Sequence, residues 1–268
     1  NDGKDRDGKV TDRLRHILEG AGKTCLFSKK DSRKNIIRET VPDNADCAIV
    51  IGGDGSLIEV ARILKSEIPI LGINMGTLGY LTEVDPARLE EALAQILRGD
   101  YCIEKRMMLE GHFRGMEPDV ALNDIVISRK GNLRVIHFDL YVNGSYLNSY
   151  EADGMILSTP TGSTAYNLSA GGPVVEPTAA LIVLTPICSH ALNTSSIVLS
   201  AEDEVIIQIG QGRNGREEEV FATFDGADVV EMRTGDRILV RRSEHVTKLM
   251  KLSKVSFLEI MRRKMKGN

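Results

Sequence analysis

The first hundred residues alternate between helical and strand-like patterns of apolar positions. These patterns predict, in chain order, a helix over 10–20, a strand over 46–51, a helix over 56–65 and a strand over 68–73. Asp85-Pro86 then predicts the capped start of a helix whose apolar face carries Leu89, Leu93 and Leu97. This order of elements predicts a parallel sheet with helices on both of its faces.

From about residue 104 the pattern changes to short strands separated by Gly and Asp. The strand-like run 138–142 leads into Asn143-Gly144, a dipeptide typical of a two-residue hairpin turn. Further strands are predicted at 205–209, 219–224 and 237–240. The second part of the chain is therefore predicted to be a mainly antiparallel β domain with two packed sheets, followed by a helical pattern over 256–264.

Composition and charge exclude several classes of protein. Of the 268 residues, 42% are hydrophobic and 27% are charged, which excludes a disordered chain. No apolar run approaches the roughly 18 residues of a membrane span, and the net charge of −4 argues against nucleic-acid binding. Four cysteines at wide, irregular spacing indicate free thiols and hence a cytoplasmic location. We interpret the basic cluster at 262–266 as a solvated helix end.

The first predicted strand ends in Gly52-Gly53-Asp54-Gly55. Glycines let the backbone approach a ligand closely, and the N–H groups of a helix that starts there favour phosphate. A carboxylate at such a place would repel anions. Its presence is explained if it accepts a proton from an attacking hydroxyl or meets a metal ion. The alternative, on spacing alone, is a tight turn in which Asp54 caps the helix.

A second glycine-rich loop, 72–80, follows the second predicted strand. Its glycines fit neither the dinucleotide-binding G-x-G-x-x-G pattern nor a P-loop. A ligand contact and a loop packed against its own protein are equally open interpretations.

The stretch 153–173 ends a short strand in a run of small hydroxylated residues, and a helix is predicted to begin near Ser163. Unpaired N–H donors, several hydroxyls and the aromatic face of Tyr166 suit a base and a ribose better than a bare phosphate. A purely structural turn is the alternative.

Asn123-Asp124 interrupt another strand that is otherwise apolar. Adjacent strand residues face opposite sides, so only one of the two can point inward. A purine edge or a ribose diol is a natural partner for Asn123, whereas a bulge or hairpin turn is the structural alternative.

Taken together, these four segments resemble the NAD kinase family. The resemblance runs in order through Gly52–Gly55, the loop 76–81, Asn123-Asp124 and the stretch 153–173, and it is most specific in the last of these. Gly-Gly-Asp-Gly alone is shared with 6-phosphofructokinases and lipid kinases. Family members open with a strand ahead of the residues that match 1–4, so we expect an initial strand to be missing from this sequence.

The resemblance implies the fold class, which is α/β plus all-β. We expect a Rossmann-like α/β domain over 1–103 and a β-sandwich domain that binds NAD over 104–249. The segment 250–268 is expected to return to the first domain, and the chain is expected to form a homodimer or homotetramer.

The resemblance also implies a reaction, the transfer of the γ-phosphoryl of ATP to the 2′-hydroxyl of the adenosine ribose of NAD to give NADP. Asp54 would accept the proton of that hydroxyl, and Gly52, Gly53 and Gly55 would bind phosphate. The residues implied to bind NAD are Asp54, Gly55, Asn123, Asp124, Arg134, Asp153, Thr164, Ala165, Tyr166, Asn167, Leu168, Ser169 and Cys188. Asp153 would meet nicotinamide or its ribose across a subunit boundary.

Cofactors and partners follow from the same resemblance. No two histidines lie at i, i+4 spacing, so no protein-bound metal is expected. Mg²⁺ or another divalent cation would be carried by the phosphates of ATP. NAD and ATP are the expected partners, with polyphosphate open as a donor, and neither nucleic acid nor membrane is expected.

Three places depart from the family pattern and leave contacts at the rim of the site open. These are Glu151, Ala227 and Ser195-Ser196. A sugar or lipid kinase and a dinucleotide sensor without chemistry are the alternative functions. The segment 164–166 argues against the first, and the presence of Asp54 argues against the second.

Overall fold

The computed structural model describes residues 4–5, 7–28, 36, 41–64, 68–76, 79–131, 135–189 and 195–266. Contacts divide the chain into two compact units. Unit 1 comprises Asn1–Lys105 together with Val246–Asn268, and unit 2 comprises Arg106–His245.

Unit 1 contains a small parallel sheet and its helices. In chain order its elements are α1 (Lys9–Gly20), β1 (Ala48–Gly52), α2 (Asp54–Leu64), β2 (Ile70–Asn74), a 3-10 turn (Pro86–Arg88), α3 (Leu89–Leu97) and, after unit 2, the end of β14 (Arg237–Lys251) and α5 (Phe257–Met265). β1 pairs with β2 in parallel from Ala48↔Ile70 to Gly52↔Asn74, and Leu249 of β14 pairs with Ile70 on the other side.

Helices cover both faces of this sheet, as the sequence predicts. Leu71 and Ile73 of β2 are fully buried against α1 and α3. The intervening Gly72 faces the opposite side, where a Cβ would lie 2.9 Å from the side chain of Leu57 in α2. β1 and β2 therefore both end at one edge of a sheet that is packed on each side.

One predicted core position in α3 is wrong. Leu89 and Leu93 are fully buried, but Leu97 is 38% exposed. Leu97 is the last residue of α3, and the neighbouring Ile96 packs against the core instead. Asp85 does cap this segment, because its carboxylate accepts a hydrogen bond from the N–H of Ala87.

Unit 2 is built from two antiparallel sheets. Its elements are β3 (Cys102–Phe113, which begins in unit 1), β4 (Asp119–Ala121), β5 (Asp124–Arg129), β6 (Ile136–Val142), β7 (Ser145–Ala152), β8 (Gly154–Ser158), a 3-10 turn (Gly162–Thr164), α4 (Tyr166–Ser169), β9 (Leu181–Ile187), β10 (Ile197–Ser200), β11 (Val205–Ile209), a 3-10 turn (Arg213–Gly215), β12 (Glu219–Phe224), β13 (Ala227–Arg233) and the start of β14.

The two sheets pack face to face around one core. In the first sheet β11 lies between β14 and β6, and β6 pairs with β7; in the second the order is β10-β9-β8-β5-β12-β13. The core joins side chains of both sheets, including Phe138 and Leu140 from β6 and Ile125 and Leu157 from β5 and β8. The predicted hairpin is present, since Asn143 and Gly144 have φ of 50° and 76° between β6 and β7.

Candidate functional site

Unit 1 carries its candidate residues where β1 ends and α2 begins. β1 ends at Gly52, and α2 starts at Asp54. The carbonyl of Gly53 accepts hydrogen bonds from Ser56 N at 3.0 Å and Leu57 N at 3.2 Å, which closes the first turn of α2. The two N–H groups ahead of these, of Asp54 and Gly55, have no acceptor within the helix, and N–H groups at such a position favour an anion. This edge of the sheet is therefore suited to phosphate.

The Asp54 carboxylate is held by the segment that follows the second glycine-rich loop. Its Oδ2 accepts a hydrogen bond from Tyr80 N at 2.6 Å. Its Oδ1 accepts from Leu81 N at 3.2 Å, Thr82 N at 3.0 Å and Thr82 Oγ1 at 3.0 Å. A carboxylate offers about four lone-pair positions. Within the described residues Oδ2 accepts one bond and Oδ1 three, so Oδ2 is the oxygen with capacity for a ligand hydroxyl.

The close packing of Gly79 fixes that arrangement. A Cβ at residue 79 would lie 2.1 Å from Asp54 Oδ1 and 2.4 Å from Thr82 Oγ1. Only glycine fits there, so the loop requires this residue because of contact with Asp54. Part of the loop predicted over 76–81, residues 77 and 78, lies outside the described residues.

Lys4 is a candidate residue that the sequence reasoning missed. Its Nζ lies 3.0 Å from where a Cβ on Gly53 would be and 3.3 Å from where one on Gly76 would be. The ammonium therefore lies against the glycines that follow β1 and β2. No ion pair of Lys4 occurs among the residues with described positions. In the sequence, Lys4 is a single lysine in a polar segment. No spacing rule connects it to glycines that lie fifty or more positions later.

In unit 2 a half-buried carboxylate, that of Asp225, organises the Asn123-Asp124 segment at the start of β5. Asp225 accepts hydrogen bonds from Leu122 N at 2.8 Å, Asn123 N at 2.7 Å and Asp124 N at 3.1 Å. The carbonyl of Asn123 accepts from Thr159 N at 2.8 Å. Of the described residues, none hydrogen-bonds to the side-chain amide of Asn123, which leaves that amide available to a ligand. Sequence reasoning missed Asp225, which is about a hundred residues away.

Asp124 has a strongly perturbed carboxyl group. It is buried in β5, and burial, followed by the negative charge of Asp225, raises its pKa to about 7. The side chain therefore changes between a hydrogen-bond donor and a charged acceptor near neutral pH. Perturbed groups of this kind are typical of functional sites.

The hydroxyl-rich stretch after β8 does not form the single helix predicted near Ser163. It makes a 3-10 turn, Gly162–Thr164, and then the four-residue α4, because Ala165 has φ −99° and ψ −129° between them. Ser163 Oγ donates to Pro160 O at 2.7 Å and accepts from Val175 N at 3.0 Å. This fully buried hydroxyl serves the protein's own backbone, so part of the polar composition is structural.

Asn167 is also turned inward. Its Nδ2 donates to Ser163 O at 3.1 Å and Pro173 O at 2.9 Å, and its Oδ1 accepts from Thr185 Oγ1 at 2.7 Å. Its side chain is fully buried, whereas Tyr166 and Leu168 are 46% and 45% exposed. Tyr166 and Leu168 therefore face solvent, while the buried Asn167 between them holds the segment in place through its hydrogen bonds.

Gly162 joins this segment to Asn123. A Cβ at residue 162 would lie 2.1 Å from the carbonyl oxygen of Asn123. The described structure of unit 2 thus brings together Asn123 and the 162–169 segment, two groups of candidates separated by about forty residues in sequence.

The remaining candidates lie at other strand ends of unit 2. Asp153 lies between β7 and β8 and pairs with Arg129, whose Nη1 is 2.7 Å from Asp153 Oδ1. Cys188 follows β9, is exposed, and has φ of 47°. Arg134, also predicted to bind NAD, lies outside the described residues.

Family models match most of the chain. The ATP-NAD kinase N-terminal domain matches residues 9–101, and the ATP-NAD kinase C-terminal domain matches residues 122–252. The curated NAD kinase of Lachnospira eligens is 48% identical over 284 aligned positions, which cover 98% of this chain and 96% of that protein. The chain belongs to the ATP-NAD kinase family. The predicted family and its fold class, α/β followed by β-rich, are confirmed.

Two solved structures of kinases are similar to this member of the ATP-NAD kinase family. A yeast NADH kinase in complex with NADH aligns with a TM-score of 0.81 at 25% identity, covering 87% of this chain and 70% of that one. An NAD kinase from Archaeoglobus fulgidus in complex with ATP aligns with a TM-score of 0.78 at 26% identity, covering 96% of this chain and 93% of that one.

Two further observations concern metals and membranes. In the described part of this ATP-NAD kinase family member, no group of three or more His, Cys, Asp or Glu side chains is arranged to hold a metal ion. Its described helices include none with the length and apolar character needed to cross a membrane.

Proposed function

We propose that Asp54 is the proton acceptor when the chain transfers the γ-phosphoryl of ATP to the 2′-hydroxyl of the adenosine ribose of NAD. As a member of the ATP-NAD kinase family, the chain is a phosphotransferase that makes NADP. The observation that carries the role of Asp54 is its position in the first turn of α2, next to the glycines that end β1, with one carboxylate oxygen able to accept a further hydrogen bond.

The chemical step needs little more than position and charge. As the bond between the ribose 2′-oxygen and the γ-phosphorus forms, the bond from that phosphorus to the β,γ-bridging oxygen breaks and ADP leaves. A ribose hydroxyl is too weak an acid to ionise beforehand, so its proton moves late to Asp54 Oδ2. The bonds from Tyr80, Leu81 and Thr82 hold the carboxylate in one orientation for this transfer.

Phosphate is bound by the same edge of unit 1. Gly52, Gly53 and Gly55 allow close approach of the backbone, and the start of α2 supplies N–H donors. We add the ammonium of Lys4, which lies against Gly53 and Gly76. The ATP phosphates would carry Mg²⁺ or another divalent cation, which neutralises charge on the transferred group.

NAD is bound by residues of unit 2 in the same proposal. The amide of Asn123 and the carboxyl of Asp124 bind its polar groups, and Tyr166 supplies an exposed aromatic face. Asn167 supports this surface from beneath. The other proposed contacts are Thr164, Ala165, Leu168, Ser169, Asp153, Cys188 and Arg134.

Assembly and location belong to the proposal as well. Tyr146 and Leu147 on β7 and Val229 on β13 are exposed on edge strands, where apolar side chains favour contact with another chain. They support a homodimer or homotetramer. The four free thiols support a cytoplasmic location.

Replacing Asp54 by Asn tests the proton acceptor. We expect turnover to fall about 10²–10⁴-fold, the usual contribution of a general base, while the variant still binds NAD. The assay incubates protein, Mg-ATP and NAD and detects NADP with an NADP-specific dehydrogenase, and NAD affinity is measured by calorimetry.

Asp46→Asn is the matched control, because Asp46 is exposed just ahead of β1, at the other end of the strand. We expect it to keep normal turnover. An Asp54→Asn variant with a near-normal rate would remove the proton-acceptor role, and a native protein that makes no NADP would remove the proposed reaction.

A further inference from the structure

The last helix of unit 1, α5, contacts the residue whose backbone binds Asp54. The ring of Phe257 lies 6.1 Å from the ring of Tyr80, centroid to centroid, at an interplanar angle of 41°. Lys264 Nζ lies 4.2 Å from the centroid of the same Tyr80 ring, within the range of a cation–π interaction. Phe257 and Lys264 are two helical turns apart, so one face of α5 holds Tyr80 at two points.

Tyr80 connects this contact to the carboxylate. Its backbone N–H donates to Asp54 Oδ2 at 2.6 Å, and Oδ2 is the oxygen proposed to take the proton. The preceding residue, Gly79, packs directly against the same carboxylate. A shift of the Tyr80 ring therefore moves the hydrogen bond that orients the reacting oxygen.

The C-terminal segment also holds the far end of the same stretch. The N–H of Ser253 donates to a carboxylate oxygen of Glu83, and Lys251 Nζ lies 3.2 Å from the other. The Glu83 and Lys251 side chains are both only 12% exposed. Residues 80–83 are thus attached to the C-terminal segment at both ends.

The rest of α5 has little packing of its own. It has no buried residue, and its apolar Leu258 and Met265 are 66% and 78% exposed. A nine-residue helix is not stable alone, so tertiary contacts must keep it in place. The contact with Tyr80 accounts for the position of two of its side chains, one of them from the basic cluster that the sequence suggested was solvated.

We propose that Phe257 and Lys264 are positioning residues for phosphoryl transfer, which hold Tyr80 and through it the orientation of Asp54. This inference rests on the proposed function of Asp54. It assigns the C-terminal helix a role in turnover, with no contact to substrate required.

Phe257→Ala tests the inference, with Leu258→Ala as the control on the same helix. We expect Phe257→Ala to lower kcat at least tenfold and to leave the KM values for ATP and NAD within about threefold. Leu258→Ala makes the same change at an exposed position and should leave kcat and both KM values within about twofold. Phe257→Tyr, which keeps an aromatic ring, should restore most of kcat.

A double substitution separates positioning from general stability. If Phe257 acts through the Asp54 carboxylate, adding Phe257→Ala to Asp54→Asn causes no further fall in kcat. An equal fall in both backgrounds, or a normal kcat in Phe257→Ala, overturns the inference. Both results require that the native protein makes NADP, so failure of the proposed function is seen separately.

Lys264→Met keeps the inference testable if Phe257→Ala does not fold. It removes the charge over the Tyr80 ring and retains an apolar chain, so folding, followed by circular dichroism, should be unchanged. We expect kcat to fall two- to fivefold with unchanged KM values. If Phe257→Ala does not fold and Lys264→Met has a normal kcat, α5 is a purely structural helix and the proposal is contradicted.

Discussion

Replacing Asp225 by Asn tests how the Asn123-Asp124 segment is held. The three N–H groups of residues 122–124 converge on the Asp225 carboxylate, with Leu122 N on Oδ2 and the other two on Oδ1. Asparagine keeps one accepting oxygen but turns an NH₂ group toward the N–H of Leu122, which is fully buried. Asparagine also tolerates the φ of 51° at this position, so no backbone strain is added.

The expected loss of stability follows from this count. One buried N–H without an acceptor costs about 1–3 kcal/mol. The two remaining hydrogen bonds change from a charged to a neutral acceptor, and each of them loses about 1 kcal/mol. We therefore expect the free energy of unfolding at pH 5 to fall by about 3–5 kcal/mol. Urea unfolding followed by circular dichroism measures it. Asp236→Asn is the control, because the one hydrogen bond that the Asp236 carboxylate accepts from a described residue is an exposed one, from Arg233 N. We expect a loss below about 1 kcal/mol.

The pH dependence gives the sharper test. Asp124 has a pKa of about 7, raised by burial and then by the charge of Asp225. At pH 5 Asp124 is protonated, and removing the charge of Asp225 relieves nothing there. At pH 8 Asp124 is ionised, so removing a neighbouring negative charge partly offsets the lost hydrogen bonds. Asp225→Asn should therefore cost less stability at pH 8 than at pH 5. An equal or larger cost at pH 8, or a loss no greater than that of Asp236→Asn, refutes the reasoning.

Three further predictions concern single positions. Gly162→Ala should raise the KM for NAD about tenfold or more and lower Tm, because its Cβ would lie 2.1 Å from Asn123 O. Gly20→Ala, at a helical position with nothing within 4 Å of the added Cβ, should leave the KM for NAD unchanged and should not lower Tm. Lys4→Gln should raise the KM for ATP about tenfold and leave that for NAD unchanged; an unaltered KM for ATP would exclude Lys4 from phosphate binding. Asp124→Asn should gain stability relative to the native protein from pH 5 to 8 in urea unfolding, because folded Asp124 keeps a proton that an aspartate in the unfolded chain, with its ordinary pKa of 3.8, has lost.

Local patterns predicted most elements of the fold. The apolar spacing of α1 and α2 and the short runs of β1 and β2 are close to the observed elements, because burial on a sheet requires those periods. The end of α3 was less predictable, since a helix that stops at Leu97 leaves its last side chain at the rim. β14 is much longer than its predicted 237–240, because the pattern weakens where the strand passes from one unit to the other.

The candidate sites were predictable in part. Glycines around Asp54 and the Asn123-Asp124 pair stand out locally. Asp225 does not, because it contacts residues 122–124 through long-range hydrogen bonds to backbone N–H groups. Tyr80 lies in a glycine-rich loop that the sequence indicates, but no spacing connects its N–H to Asp54. Composition was misleading at Ser163. The hydroxyl-rich stretch around it suggested a ligand contact, whereas its hydroxyl donates a hydrogen bond to the backbone carbonyl of Pro160.

The discontinuity of unit 1 sets an order of maturation during translation. Unit 2 is contiguous, whereas unit 1 needs Val246 and the residues after it, which emerge from the ribosome after all of unit 2. Among these late residues are the partners of Glu83 and Tyr80. A nascent chain can therefore fold unit 2 before these contacts to residues 80–83 form. If Asp54 is the proton acceptor that we propose, the chain becomes competent to phosphorylate only after Val246 and the residues that follow it have been made.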